Sequence, residues 1–301
     1  MVLGHVVIGG GTGFIGSCIA NALRQEGAGI TIISRMPGPS RLTWTELARN
    51  GLPKDTTAVI NVAGQNILDP TRRWTTGFRQ NVWNSRVETT KALSRAVTFT
   101  DAKKFVNISG VAYYPPNGKE YTEDDKCKPY DYLSELCHAW EAAAKLPDGC
   151  KTNQVTIRSG VVLGRTGGMI AQTIWPFFFG LGGPLGSGEQ FMPWIHIEDL
   201  VYLFIWALRN DVGPVLNGVA PQLVRNKEFA KAFASAMWRP AIIPLPKFVL
   251  NLIFNEERAK IMTEGQKVLP KRVLESGFEF EYPDIKKACT QVAQLVYNNP
   301  L

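Results

Sequence analysis

No apolar stretch in this 301-residue chain is long enough to cross a bilayer. The longest, such as Leu200 to Leu208, fall well short of the ~20 residues a spanning helix needs, so no membrane partner is expected. Long basic runs are missing too. The net charge is +7, yet no Lys/Arg run exceeds two, as at Arg72-Arg73. Such a surface draws anions in general, but without a basic stripe nucleic acid is not an expected partner. Cysteines are few, odd in number and scattered: Cys18, Cys127, Cys137, Cys150 and Cys289, with no CxxC pair. A disulfide framework and a structural zinc site are therefore not expected, no metal site is predicted, and a reducing compartment fits. Met1 leads straight into a strand and a glycine loop, with no signal or arginine-rich transit pattern. The cytoplasm is the expected address, with a mitochondrial one as the alternative raised by the basic charge.

What the chain does have is core material. Hydrophobic residues make up 45%, and eight Trp and 15 Phe add bulk, enough for one large domain with a smaller appendage. Short β-branched runs (His5 to Ile8, Ile30 to Ile33, Ala58 to Val62, Phe105 to Ile108, Val155 to Ile157) are separated by helical patterns over Phe14 to Leu23, Phe78 to Val97, Leu133 to Lys145 and Met169 to Phe179. That alternation predicts an α/β fold, a Rossmann-type doubly wound parallel sheet built from βαβ units. Residues 1–238 read as this domain, with substrate-pocket elements mainly in 165–238, and residues 239–301 as a small C-terminal α/β subdomain. Gly180 to Gly188, with five glycines, reads as an exposed or ligand-facing loop, and Asn226 as the N-cap of a later helix.

The chemistry is concentrated at the start. Val6-Val7-Ile8 runs into Gly9-Gly10-Gly11-Thr12-Gly13-Phe14-Ile15-Gly16, in which Gly10, Gly13 and Gly16 form GxxGxxG. The first glycine allows the turn off the strand, the second lets backbone approach a pyrophosphate, and the third allows close packing of the helix. The phosphates then meet free N–H groups and the positive end of the dipole. Gly10, Thr12, Gly13, Phe14, Ile15 and Gly16 are thus the expected phosphate-side contacts. An NAD site would place Asp or Glu at the end of the next strand, roughly 20 residues on. Ser34 and Arg35 stand there instead, a hydroxyl and a guanidinium suited to a 2′-phosphate, so the expected cofactor is NADP(H).

With NVAG at 61–64, SGVAYY at 109–114, WEAA at 140–143, RSGVVLG at 158–164, GLGGPLGSG at 180–188, PWIHIEDL at 193–200 and LNGVAP at 216–221, nearly the whole chain resembles an atypical extended short-chain dehydrogenase/reductase. The narrower resemblance is to the nucleotide-sugar-epimerase-like family, in its cell-division-inhibitor-like branch. That resemblance implies NADP-dependent oxidoreductase activity on a small molecule and a small C-terminal domain from about residue 245. It also implies cofactor contacts at Val62, Ala63 and Gly64, at Asn81 and Arg86 on one helix, and at Val161 near the nicotinamide end. Members of the superfamily use Ser/Thr with Tyr-x-x-x-Lys, the lysine lowering the tyrosine pKa from ~10. Here the pair is absent from the expected helix: aligned on Glu141, Cys137 takes the lysine position and Leu133 the tyrosine position. Tyr282 and Lys286 have the spacing, but far along the chain. Ser109 keeps the serine position, and Tyr113 and Tyr114 are the candidate replacement donors. A substrate would lie near Ser109, Tyr113 and the 180–188 loop. Alternatives are a non-catalytic NADPH-binding sensor or assembly protein, and a nucleotide-sugar epimerase, which Ser34-Arg35 disfavours.

Overall fold

Side chains of the first strand alternate strictly between two cores, and this fixes the layering. In β1 (His5–Gly9), Val6 and Ile8 enter one apolar cluster and Val7 the other, all fully buried. The same alternation recurs in β2 (Gly29–Ser34), β4 (Thr56–Asn61) and β5 (Lys104–Gly110), where Ile32, Ile60 and Val106 face one side and Ile33, Val59 and Phe105 the other. A sheet apolar on both faces must be covered on both, which is what parallel strands with helical crossovers supply. One cover is α1 (Phe14–Gln25) with α7 (Ile197–Arg209). The other is α2 (Trp44–Asn50), which follows β3 (Arg41–Thr43), together with α4 (Val87–Val97).

The computed structural model describes residues 4–294. Its main sheet has seven parallel strands in the order β10-β7-β5-β4-β1-β2-β3, with β7 at Asn153–Ser159 and β10 at Val215–Gly218. The chain leaves β1 in one direction for β2 and returns past it to β4. The crevice at the carboxyl ends of β1 and β4 is therefore the topological switch point, where ligands bind in such sheets.

Smaller elements complete the fold. α3 (Thr76–Asn84) precedes α4, and β6 (Glu120–Tyr121) precedes α5 (Tyr132–Ala144). β8 (Val161–Gly164) pairs with β9 (Trp194–His196) across α6 (Gly168–Phe178), and α8 (Asn226–Ala236) follows β10. The tail holds α9 (Lys247–Phe254), α10 (Glu256–Thr263), β11 (Lys267–Val268), α11 (Lys271–Glu275) and α12 (Ile285–Ala293). It is stitched to the rest: β11 pairs with β6, and Ile285, Ala288, Cys289 and Val292 share a core with Phe229 and Phe233 of α8. Among the described residues no helix is long and apolar enough to cross a membrane.

Two local readings are corrected. The helix expected over Phe78 to Val97 is two helices, because Ser85 turns its hydroxyl onto the Val82 carbonyl while accepting the Gln65 N–H, and the helix breaks there. Asn226 is not an N-cap; Arg225 occupies that position, and Asn226 is buried and accepts the Leu185 N–H. Trp175 and Phe179, at the end of α6, are exposed at 58% and 67%.

His196 and Asp199 join β9 and α7 to the tail. His196 is fully buried, donates from Nε2 to Gln291 and accepts the Glu198 N–H at Nδ1, so it is neutral, with burial pushing its pKa down to about 4. Asp199 accepts the N–H groups of Glu281 and Tyr282, yet burial prevails and lifts its pKa to about 6. The signs oppose. The unfolded histidine takes up a proton that the folded one refuses, so its contribution to stability is lost as pH falls from 6.5 toward about 4. The buried carboxylate costs stability above about 6, and that cost is relieved as pH falls. Urea titrations should show the advantage of the wild type over His196→Asn shrinking by about 3 kcal/mol between about pH 7 and about pH 4. A pH-independent difference would refute a neutral buried His196.

Candidate functional site

The loops leaving β1 and β4 interlock at the switch point. Gly10 has φ +79, and a Cβ there would lie 2.7 Å from Ala63 Cα, so no other residue fits. Its N–H donates to Ile33 O at 3.0 Å and its carbonyl accepts from Gly13 at 3.0 Å, tying the turn to β2 as well. Gly16 is required by packing, since its Cβ would stand 2.3 Å from Gly10 O.

Gly13 is different. Its φ of −80 suits any residue, and the nearest obstacle to a Cβ is Gly10 O at 3.4 Å, ordinary contact. The protein itself leaves room for a side chain there, and that room lies at the start of α1. This helix has no side-chain cap and no acidic residue in its first turn, so the first-turn N–H groups of Phe14, Ile15 and Gly16 lack internal acceptors. Thr12 and Gly13 are exposed beside them. The Phe14 ring serves as packing: a Cβ on Gly164 or Gly167 would run into it, so the turn after β8 closes over the glycine loop.

At the end of β2, Ser34 is buried and its hydroxyl donates to Met36 O at 2.6 Å. Its proton is therefore committed to shaping the turn, which corrects the expectation of a free hydroxyl for a phosphate. Arg35 is exposed, with no salt-bridge partner among the described residues, and places a positive charge at this corner. At the end of β4, Val62 N–H donates to Gly9 O and Ala63 N–H to the Asn61 side chain. Asn61 in turn donates to Thr90 and Asn107, both at 2.7 Å, while Trp140 donates to Thr90 at 2.9 Å. This buried network fixes the ends of β4 and β5 against α4 and α5. The sequence reading missed it, because single Asn and Thr residues in apolar runs give no signal of pairing.

Asn81 and Arg86 separate because the helix breaks between them. Asn81 is exposed on α3, one turn before Ser85, whose hydroxyl accepts the Gln65 N–H of the β4 loop. Arg86 is half-buried; its guanidinium lies against Gly64, whose Cβ would be 3.1 Å from Cζ, and over the Trp140 ring at 5.2 Å. Val161 is half-buried in β8, its N–H taken by Pro193 O.

Ser109 closes β5, 2% exposed, with no conventional hydrogen-bond partner; the Cys137 thiol is its neighbour on α5. Of the two tyrosines expected as donors, Tyr114 has its hydroxyl committed to the core, and Tyr113 is held by its ring. Tyr114 is fully buried, within 3.0 Å of Thr122 O and Asn217 Oδ1, and accepts from Arg158 at 2.8 Å. Burial pushes its pKa up to about 12. The Tyr113 ring is clamped between Arg158, whose Cζ is 3.3 Å from its centroid, and His138, stacked at 4.3 Å. Its hydroxyl accepts a long contact from Cys127 N–H. Glu141 binds Arg158 through both oxygens at 2.8 Å. Tyr282 does not meet Lys286; its hydroxyl donates to Glu198. In the 180–188 loop Gly182 packs on the Phe177 ring and Gly183 on Ile243, and Leu185 bridges to Leu245 of the tail.

Comparison with known proteins agrees with this geometry. Residues 6–217 match the NAD dependent epimerase/dehydratase family, and residues 245–292 a domain of unknown function, DUF1731. The epimerase family protein SDR39U1 of Homo sapiens is 48% identical over 292 residues, 96% of this chain and 99% of that protein. A chloroplastic homolog from Arabidopsis thaliana is 34% identical, covering 96% of this chain and 86% of that protein. The crystal structure of human SDR39U1 (isoform 2), solved with NADPH, superimposes with a TM-score of 0.94 at 47% identity, covering 97% of this chain and all of that one. A parallel sheet with its glycine turn at the switch point, and a match over most of the length, lead to one assignment: the chain belongs to the NAD dependent epimerase/dehydratase family.

Proposed function

We propose that this protein binds NADP(H) along the carboxyl edge of the sheet and acts as an oxidoreductase on a small molecule. The observation that carries the reading is Gly13: its own fold leaves space for a side chain, and the space faces the uncapped start of α1, where a pyrophosphate fits. Arg35, with no acidic residue beside it at the end of β2, suits the 2′-phosphate. The NADPH in the human relative's structure supports the same choice. When bound, the cofactor supplies the hydride. The chain's part is to seat the phosphates on the Phe14, Ile15 and Gly16 N–H groups, hold the 2′-phosphate at Arg35, and offer the free Ser109 hydroxyl to polarise a substrate oxygen. Its five free cysteines support a reducing compartment.

Calorimetric titration tests the cofactor. NADPH should bind in clear preference to NADH, and Arg35→Ala should cost NADPH about 1.5–3 kcal/mol while leaving NADH unchanged. Failure of a folded protein to bind either nucleotide would end this reading. A second reading, a non-catalytic NADPH-binding sensor or assembly protein, is favoured by the buried Tyr114, whose hydroxyl is held by Arg158 and Asn217, and by the Tyr113 ring, clamped between Arg158 and His138. A panel of carbonyl compounds separates the two: NADPH consumption lost in Ser109→Ala supports the enzyme, and no consumption despite tight binding supports the sensor.

A further inference from the structure

Among the described residues, Arg86 is a cation without a counter-charge. Its Nη1 donates to Val82 O at 3.2 Å, the one hydrogen bond its guanidinium makes among the described residues, and no carboxylate of those residues lies within salt-bridge distance. Buried or half-buried guanidinium groups are ordinarily paired. The cost of leaving this one unpaired shows in its pKa, which burial lowers to about 10. The ionisable groups that act on it most, Cys137 and Tyr132, are neutral, because burial raises both of their pKa values. Glu141, the acid nearest in effect to Cys137, is already neutralised by Arg158.

Its place in the fold decides what the charge faces. Arg86 rests on exposed Gly64 at the end of β4, and Ser109 ends β5; the Cys137 thiol feels both. The sheet order puts β2, β1, β4 and β5 side by side, strands ~4.8 Å apart. A dinucleotide with its 2′-phosphate at Arg35 over β2 and its pyrophosphate at Gly13 over β1 therefore carries its nicotinamide riboside over β4 and β5. There the unpaired guanidinium of Arg86 and the unpartnered hydroxyl of Ser109 await it. The oxidised nicotinamide ring bears a positive charge and the reduced ring none. We propose that Arg86 makes this site selective for the reduced cofactor, binding the ribose side of NADPH while repelling the cationic ring of NADP⁺. The inference rests on the NADP(H) reading above.

The test needs no substrate. Dissociation constants of NADPH, NADP⁺ and 2′,5′-ADP are measured by calorimetry for the wild type, Arg86→Met and Arg86→Lys. The wild type should bind NADPH about tenfold or more tighter than NADP⁺, the size expected of one fixed charge a few ångströms from another behind partial screening. Arg86→Met should bring the two within about threefold, and Arg86→Lys, which keeps the charge, should retain most of the ratio. Affinity for 2′,5′-ADP, which lacks the nicotinamide riboside, should stay the same in all three proteins and so reports an intact fold. Equal binding of NADPH and NADP⁺ by the wild type, or an unchanged ratio in Arg86→Met, overturns the inference while leaving the NADP(H) reading standing. A matching loss of 2′,5′-ADP overturns it too, since Arg86 would then serve the adenosine half or the fold. Failure of all three ligands to bind the wild type would strike the NADP(H) reading itself.

Discussion

Gly13→Val should lower NADPH affinity by at least 100-fold in a protein that remains folded. At Gly13 the backbone is in an ordinary extended conformation, and the neighbouring protein atoms tolerate a Cβ. The cost to the fold is that of a poorer N-cap, about 1 kcal/mol. The cost to binding is larger, because the isopropyl group fills the space where the pyrophosphate must meet the first-turn N–H groups. Losing those charge-assisted contacts removes about 3 kcal/mol or more. Gly16→Val is the opposite case. Its Cβ would sit 2.3 Å from Gly10 O and 2.8 Å from Gly11 Cα, both backbone atoms that cannot rotate away. That variant should lose stability by about 3 kcal/mol or fail to fold, from overpacking. Urea melts beside calorimetry resolve the pair. Wild-type NADPH affinity in Gly13→Val would show that nothing binds at this helix start.

The two glycines also mark how far the sequence could be read. Their roles follow from a turn of eight residues, and local geometry is what a sequence spells out. The same holds for the alternation of Val6, Val7 and Ile8, which announced a sheet buried on both faces. Reading failed where a residue's role is set by partners far along the chain. Tyr113 and Tyr114 sit in the loop that the resemblance marks for catalysis, yet Arg158, 44 residues beyond Tyr114, and Asn217, 103 residues beyond, claim them for the core. Ser34 was in the right place, but its bond to Met36 could not be foreseen. In the 180–188 loop, composition could not tell that Gly182 and Gly183 are required by the Phe177 ring and the Ile243 backbone. Asn81 and Arg86 shared a helical pattern until Ser85 broke it. What made Arg86 stand out was the lack of any carboxylate beside it among the described residues, which only the folded arrangement reveals.

Breaking the pair Glu141 and Arg158 should destabilise the protein by several kcal/mol, about 3–5 for either single loss. Both oxygens of Glu141 meet the guanidinium at 2.8 Å, and the side chains are 17% and 5% exposed. Glu141→Leu leaves the charge of Arg158 buried beside two aromatic rings with no anion, a loss of about 3–5 kcal/mol. Arg158→Met should cost a similar amount, since it strands the carboxylate and deprives the Tyr114 hydroxyl of its donor. The double variant leaves no charge unpaired, so it should be more stable than the two single losses added together, with a coupling of about 1–3 kcal/mol in urea unfolding. Strict additivity would mean that the ion pair does not bind these elements as the geometry says. The same network decides the role of the tyrosines. Tyr114→Phe removes a hydroxyl held by Arg158 and Asn217 and should cost about 1–3 kcal/mol of stability. Tyr113→Phe gives up only a 3.4 Å contact and should cost little. If a substrate is found, both variants should turn it over at close to the wild-type rate under conditions where they are folded. A large loss of rate without loss of stability in either would return that tyrosine to the chemistry and require the loop around it to open when substrate binds.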